Sequence, residues 1–220
     1  EAEETEKYLQ TMLEKKVDGI VLVGSVFNTI CKKPEIKKLL RTVPVVLANG
    51  KLEMANSYSV LVDDKYGIAL AVNELLKKGH RDIYYVKDMD TVSARLKWEG
   101  FVDTLQRAGI AEAKKKVLHT TSDLQSGKKF SALVCGEDIT AAGAVKALLQ
   151  EGYRIPEDVA VTGYNNSEYA RICEPTLTTI DNKPELVAMF SVQLLTSLIE
   201  KTDAYSSCTI QPELVAGKTV

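Results

Sequence analysis

The chain has 220 residues, of which 45% are apolar and 26% are charged, and its formal net charge is −2. This length suits one large domain or two smaller lobes, and the even charge balance excludes a general attraction to nucleic acid. No apolar run has the roughly 20 residues that a membrane-spanning helix needs, so we expect no membrane partner.

The cysteines and histidines do not form a metal-binding pattern. The four cysteines lie far apart, no two of them form a Cys-x-x-Cys pair, and His80 and His119 are isolated. Zinc sites need closely spaced ligands, so the sequence predicts no metal and no cofactor. Dispersed thiols and a chain that opens without a signal peptide favour a reducing, cytoplasmic compartment.

The first part of the chain alternates helical segments with short apolar runs. The predicted elements are a helix near 2–16, a strand at 19–23, a helix at 34–40 and strands at 44–48 and 59–62. Helical spacing of apolar residues follows over 66–78 and ends at Gly79, which is a typical C-terminal cap.

The second part continues the same alternation. The predicted strands are 83–86, 117–119, 132–135, 159–163 and 208–214, and the predicted helices are 91–108, 138–151 and 184–201. Apolar strands that alternate with helices are typical of parallel sheets covered on both faces, so the sequence predicts an α/β fold. Ligands of such sheets bind beyond the carboxyl ends of the strands.

The segment from Asp158 to Ile180 carries the most informative motif. A β-branched run ends in Gly-Tyr-Asn-Asn at 163–166, and a Pro-x-Leu-Thr-Thr-Ile strand follows at 175–180. This combination closely resembles the effector-binding domain of the lactose- and galactose-repressor family of transcription regulators. That family carries Val-x-Gly-(Phe/Tyr)-Asp-(Asp/Asn) at this point, and then Pro-x-Leu-Thr-Thr-(Ile/Val).

Six further segments between Val17 and Thr219 resemble the family in the same order. They are Val-Asp-Gly-Ile at 17–20, Val-Pro-Val-Val at 43–46, Val-Asp-Asp at 62–64, Gly-His-Arg-Asp-Ile at 79–83, the Arg-to-Gly-Phe helix at 93–101 and Asp-x-x-Ala-Ala-Gly-Ala at 138–144. Each segment alone is a weak match, but their common order makes the resemblance strong.

The resemblance implies two Rossmann-like lobes with parallel sheets, as in periplasmic binding proteins, and a ligand cleft between the lobes. One lobe would comprise 1–62 and 181–204, and the other 63–180 and 205–220. The family's first strand, helix and strand, and the DNA-binding helix-turn-helix before them, would precede residue 1.

A further helix is expected near Gly127–Lys128. In the family a helix leads into the strand at 132–135, whereas in this chain Lys128-Lys129-Phe130 leads directly into it. A crossover between neighbouring parallel strands needs about a dozen residues or more. We therefore predict that a helix belongs at this junction and that its residues are missing from the 220-residue chain.

The resemblance implies a ligand site at four positions, where the family usually carries Asp, Arg, Asn and Asp. The residues of this chain at those positions are Asn49, Lys97, Glu137 and Asn165. Carboxylates and guanidinium forks suit sugars because they bridge neighbouring hydroxyl groups. Asp138 and Arg95 are further predicted ligand-binding residues, but only one of Arg95 and Lys97 is expected to face the cleft.

The same residues also have structural interpretations. Asn49 and Asn165 are typical turn residues, Lys97 is of a type common on solvated helix faces, and Asp138 suits the N-terminal cap of a helix. The aromatic rings of Tyr164 and Trp98 can stack on a sugar, although core packing is the more usual role of both.

The sequence gives no support for catalysis. Gly-Lys-Thr at 217–219 resembles the end of a phosphate-binding loop, but Pro212 stands where the first glycine would be and no helix follows. Two isolated histidines cannot be assigned to a nucleophile–base pair. We therefore predict that the protein is not an enzyme.

The resemblance implies the effector-sensing and dimerisation core of a repressor-type transcription regulator. A small ligand, a sugar or sugar derivative, would bind between the lobes of a homodimer and control DNA binding by the N-terminal helix-turn-helix. Two alternatives stay open, a periplasmic sugar-binding protein of a transporter and a regulator core that answers a protein co-repressor; a doubly wound enzyme is a weaker third.

Two expectations about partners follow. The apolar face of the helix at 184–201 exceeds what one small lobe needs, which favours a homodimer. Asn49 and Asn165 remove two carboxylates that the family usually carries, so we expect a weak or atypical sugar response and a site more open to a phosphorylated or acidic ligand.

Overall fold

The computed structural model describes residues 2–52, 54–87, 89–119, 123 and 129–220. Its contacts divide the chain into two compact units, each built from three segments. The first unit comprises Glu1–Val62, Thr91–Ser93 and Pro184–Ile210, and the second comprises Asp63–Asp90, Ala94–Lys183 and Gln211–Val220.

The first unit contains a four-stranded parallel sheet with helices on both faces. In sheet order, the strands are β1 (Ile20–Val23), β2 (Val45–Ala48), β3 (Ser57–Val62) and β9 (Ser207–Ile210). The helices are α1 (Ala2–Glu14), α2 (Phe27–Ile30), α3 (Pro34–Leu40) and α8 (Pro184–Ile199). β2 is buried along its whole length because Leu9 and Ile36 cluster with Leu47 on one face, while Leu194 clusters with Val46 on the other.

The second unit contains another four-stranded parallel sheet and a small antiparallel one. The parallel strands, in sheet order, are β5 (Val117–Leu118), β4 (Ile83–Val86), β6 (Ala132–Cys135) and β7 (Ala160–Thr162). The antiparallel pair is β8 (Thr179–Asp181) and β10 (Glu213–Val215). The helices are α4 (Asp64–Lys77), α5 (Val92–Arg107), α6 (Asp138–Gln150) and α7 (Glu168–Ile172).

Two apolar clusters hold this second sheet. Ile68 of α4 and Phe101 of α5 belong to a cluster with Tyr85, and Val145 of α6 belongs to another with Leu133. Since neighbouring residues of a strand point to opposite faces, helices on both faces require the continuous apolar strands that the sequence shows. The predicted α/β fold with parallel sheets is therefore confirmed.

The ends of α4 follow from its capping residues. The helix begins at Asp64, earlier than the periodic pattern indicates, because Asp63 Oδ1 accepts a hydrogen bond of 3.0 Å from the amide of Tyr66. At the other end Gly79 has φ +93°, the left-handed conformation that a glycine cap adopts at little cost.

The strand predicted over 208–214 is two strands in different sheets. β9 pairs with β3, whereas β10 pairs with β8. Pro212 lies between them, and proline lacks the N–H that a continuous ladder needs. Residues 205–210 therefore lie with the first sheet rather than with the C-terminal lobe assigned from the sequence, and 181–183 lie with the second unit.

The junction at Gly127–Lys128 lies outside the described residues, so the helix expected there stays a prediction. The two strands that it would connect are not neighbours, because β5 and β6 both pair with β4.

The four cysteines are free thiols, and burial raises the pKa of Cys31 to about 11. Within the described ranges, no group of three or more His, Cys, Asp or Glu side chains is placed to hold a metal ion. No helix in that same part of the chain combines the length and the apolar character needed to cross a membrane.

Candidate functional site

Polar side chains of the second unit meet just beyond the carboxyl ends of its strands. Glu137 follows β6, Asn165 follows β7, Asn182 follows β8, and Lys97 reaches them from α5. We call these four residues the polar row. Its position is the one that ligands occupy in open parallel sheets.

Lys97 begins the row and is almost completely buried, with 4% of its surface exposed. Its Nζ donates to the carbonyl oxygen of Gly136 at 2.8 Å and to Glu137 Oε1 at 3.1 Å, and it lies 3.9 Å from the ring centre of Tyr164. A buried ammonium is tolerated only when such partners replace water. The ion pair with Glu137 therefore compensates the charge of Lys97 inside the protein.

The row continues through two side-chain amides. Asn165 Nδ2 donates a short hydrogen bond to Glu137 Oε2, and Asn182 Nδ2 donates to Asn165 Oδ1 at 3.0 Å. Asn182 Oδ1 is buried and has no hydrogen-bond partner among the described residues. The row thus ends in an acceptor that nothing in the described protein satisfies.

Asn165 combines the two roles considered from the sequence. Its φ of 104° and the φ of 50° at Asn166 are left-handed conformations, and asparagine tolerates these better than most residues. Its backbone amide donates to the carbonyl of Ile180 at 2.7 Å, which fixes this turn beside β8. The turn and the polar contact are consistent with each other, because the side chain that leaves the turn reaches Glu137.

The aromatic ring of Tyr164 packs against the ammonium group of Lys97. The ring lies in the core with 1% of its surface exposed, and its hydroxyl donates to Asp64 Oδ1 at 2.8 Å. A Cβ on Gly67 would lie 2.7 Å from that hydroxyl oxygen, so glycine makes room for the contact. Burial, followed by the negative charge of Asp64, raises the pKa of Tyr164 well above its ordinary 10.0.

Asp138 does not cap a helix as the sequence analysis predicts. It is the first residue of α6, while the cap position belongs to Glu137, whose side chain makes no capping bond. Asp138 Oδ2 accepts from the amide and the hydroxyl of Ser167 at 2.7 and 2.9 Å, and Oδ1 accepts from the hydroxyl of Thr179 at 2.5 Å. Through these three hydrogen bonds, the buried carboxylate connects α6 to the turn after β7 and to β8.

Arg95 and Asn49 lie outside the polar row. Arg95 has an exposed side chain whose Nε is 4.0 Å from Glu99 Oε1, so Lys97 is the member of the Lys97–Arg95 pair that turns inward. Asn49 belongs to the first unit, where it follows β2 with φ 58° and donates its backbone amide to the carbonyl of Val60 at 2.7 Å. Its turn role is therefore visible, and its ligand role stays a prediction.

Asn182 is the member of the row that the sequence did not predict. It follows the Thr-Thr-Ile strand β8, so the expectation that ligands bind beyond the carboxyl ends of strands applies to it as well.

Trp98, the other aromatic considered for sugar stacking, packs against Phe101 with ring centres 5.5 Å apart and planes at 19°.

Comparison with known proteins shows which protein family this α/β fold belongs to. Residues 72–220 match the family model of the periplasmic binding protein-like domain. The chain is 32% identical to an HTH-type transcriptional regulator of Lachnoclostridium phytofermentans over 227 residues, which cover 97% of this chain and 68% of that relative.

Solved structures of transcriptional regulators share the fold of this chain. A sugar-binding transcriptional regulator of the LacI family from Escherichia coli, complexed with phosphate, superposes with a TM-score of 0.83 at 27% identity and covers 100% of this chain and 82% of its own. The lac repressor dimer bound to operator and the anti-inducer ONPF shares the fold, with a TM-score of 0.85 at 23% identity over 100% of this chain and 79% of that one.

The fold and the matching family model define a periplasmic-binding-protein-like domain. The chain belongs to the LacI family of transcriptional regulators and forms the core domain of such a regulator. The resemblance stated from its motifs is confirmed.

Proposed function

We propose that the chain is the effector-sensing and dimerisation core of a cytoplasmic regulator without enzymatic activity. A small molecule, a sugar or sugar derivative, binds between the two lobes and controls DNA binding by a helix-turn-helix that precedes residue 1. The polar row is the observation that carries the proposal.

The row has the features of a recognition site. It combines a charged pair, two side-chain amides and a buried unpartnered acceptor at strand ends. Most buried polar atoms in proteins are hydrogen-bonded, so an unsatisfied one suggests a missing partner. Support from a relative comes from the E. coli regulator named above, which is described as sugar-binding and was complexed with phosphate.

Control of DNA binding follows from a population shift. A ligand that contacts both lobes stabilises the lobe arrangement to which it binds more tightly, and only this difference in affinity moves the equilibrium. In a homodimer, such a shift changes the separation of two DNA-binding heads. The lac repressor structure, which is a dimer on its operator, supports this part of the proposal by its fold.

A thermal-shift screen tests the proposal. We expect at least one sugar, sugar derivative or other small metabolite to raise the melting temperature by several degrees, because a ligand at 100 times its Kd stabilises by about 2.7 kcal/mol. A broad panel at millimolar concentration that leaves the melting temperature unchanged would contradict small-ligand sensing.

A further inference from the structure

We propose that the polar row has a fixed hydrogen-bond direction and thereby selects an uncharged ligand group that donates an O–H or N–H to Asn182. This inference rests on the proposed function, since it names the chemistry that the same site takes. It concerns the part of the ligand that contacts the second unit.

The direction is set at the charged end of the row. Glu137 is ion-paired with Lys97, and an ionised carboxylate has acceptors but no donor. Asn165 must therefore turn its NH2 group toward Glu137, which is the observed contact. The assignment of amide oxygen and nitrogen, which geometry alone often leaves open, is settled here by the charge.

The same logic passes along the row to its end. With its NH2 group engaged, Asn165 presents its oxygen to Asn182, so Asn182 must turn its own NH2 group toward Asn165. Asn182 Oδ1 is then left as an acceptor, and it lacks a hydrogen-bond partner among the described residues. A flip of either amide would place two acceptors or two donors against each other. Lys97 thus acts as a positioning residue, through two intervening side chains.

The row also disfavours an anion. The three N–H groups of Lys97 face Gly136, Glu137 and the Tyr164 ring, and its charge is balanced by Glu137. An anionic ligand would find acceptors at Glu137 and Asn182 and no uncommitted ammonium in the row. The row therefore favours a ligand with an uncharged hydrogen-bond donor over the acidic or phosphorylated ligand expected from the sequence.

A first experiment tests the direction without any ligand. In the isotope-labelled chain, nuclear magnetic resonance detects couplings through hydrogen bonds. We expect one from Asn182 Nδ2 to Asn165 Cγ and another from Asn165 Nδ2 to Glu137 Cδ. A coupling in the reverse sense, or rapid solvent exchange of both amide groups, overturns the proposal whatever the ligand proves to be.

A second experiment tests selection with three sets of probes: uncharged pentoses and hexoses, their O-methyl ethers, and their phosphates. We expect binding from the first set, with affinity about tenfold weaker for an ether that blocks the donor, as loss of one hydrogen bond at a buried acceptor requires. Tighter binding of phosphates, or equal binding of ethers, overturns the inference but leaves small-ligand sensing intact. No binding by any set, or by the wider panel above, defeats the proposed function itself.

Variants separate recognition from folding. Asn182→Leu removes the acceptor, and we expect it to weaken probe binding at least about tenfold, whereas Asn73→Leu, on the exposed face of α4, leaves binding unchanged. The double change Lys97→Met with Glu137→Gln keeps the row neutral. Because a glutamine amide can donate or accept, the hydrogen bonds of the row can then run in either direction, and discrimination between a sugar and its ether should fall to within about twofold. Undiminished discrimination in a folded double variant contradicts the role given to Lys97.

Discussion

At the scale of single residues, Glu137 and Asn165 form a compensated pair. The family usually places an amide at the first position and a carboxylate at the second, and this chain has them exchanged. Because Asn165 donates to Glu137 in this chain, an aspartate at 165 would face a second carboxylate. The two departures from the family pattern are therefore best understood together.

This pair can be tested by a double-mutant cycle. We expect Asn165→Asp alone to lower the free energy of unfolding by about 1–3 kcal/mol, since it replaces a donor by a second negative charge. Adding Glu137→Asn restores the family arrangement and should recover most of that loss. Urea unfolding of all four proteins measures the coupling, and purely additive effects would show that the residues act independently.

Tyr164 gives a pH dependence with a definite sign. Its folded pKa lies well above the unfolded value near 10.0, because burial and Asp64 disfavour the phenolate. The stabilisation is present in full below pH 10 and is lost as pH rises above it, since the unfolded chain then releases a proton that the folded chain retains. In Tyr164→Phe, unfolding free energy should fall less steeply above pH 10, whereas the exposed Tyr153→Phe should follow the parent chain. Equal slopes for Tyr164→Phe and the parent chain would contradict the buried phenol.

At the scale of elements, α4 and α5 meet closely enough to need a glycine. A Cβ at Gly100 would lie 2.6 Å from the carbonyl oxygen of Lys65, a backbone atom that cannot move alone. Gly-to-Ala changes inside helices ordinarily stabilise by about 1 kcal/mol. In this helix the clash should reverse the sign, so that Gly100→Ala destabilises by about 1–3 kcal/mol in urea unfolding. A stabilised variant would show that the helices are further apart.

The sequence predicted most elements because their signals are local. Helical periodicity, Gly79 and the apolar runs located α4, β4 and β6 closely. The sequence predicts β9 and β10 as one strand because two adjacent strands that enter different sheets form one apolar run, although Pro212 marks the break between them. The short α7 has too few residues for a periodic pattern.

The site was predicted less completely than the fold. Strand ends and family motifs directed attention to Glu137 and Asn165, but only tertiary packing shows that Lys97 is buried and Arg95 exposed. The contacts of Asp138 with Ser167 and Thr179 span 29 and 41 positions of the sequence. No local pattern reports contacts of that range, which is why a cap was predicted instead.

At the scale of the whole molecule, we expect a homodimer. α8 exposes apolar side chains, with Leu186, Met189 and Val192 at 39%, 51% and 61% exposure. Such a stripe is typical of a surface that packs against another chain. Sedimentation at micromolar concentration should give a dimer that Met189→Glu with Val192→Glu dissociates and Gln193→Glu does not. A parent chain that sediments as a monomer, or a dimer unaffected by the double change, would contradict an interface on α8.

Titration calorimetry with a ligand from the thermal-shift screen tests whether the polar row binds the effector. We compare the parent chain with Asn165→Gly, which removes the side chain. Glycine adopts the left-handed backbone conformation of this position without steric strain. Asn166→Gly makes the same change one residue away. We expect one site per chain, affinity at least about tenfold weaker in Asn165→Gly, and near-parent affinity in Asn166→Gly. Equal affinity in all three proteins would show that the ligand does not bind at the polar row.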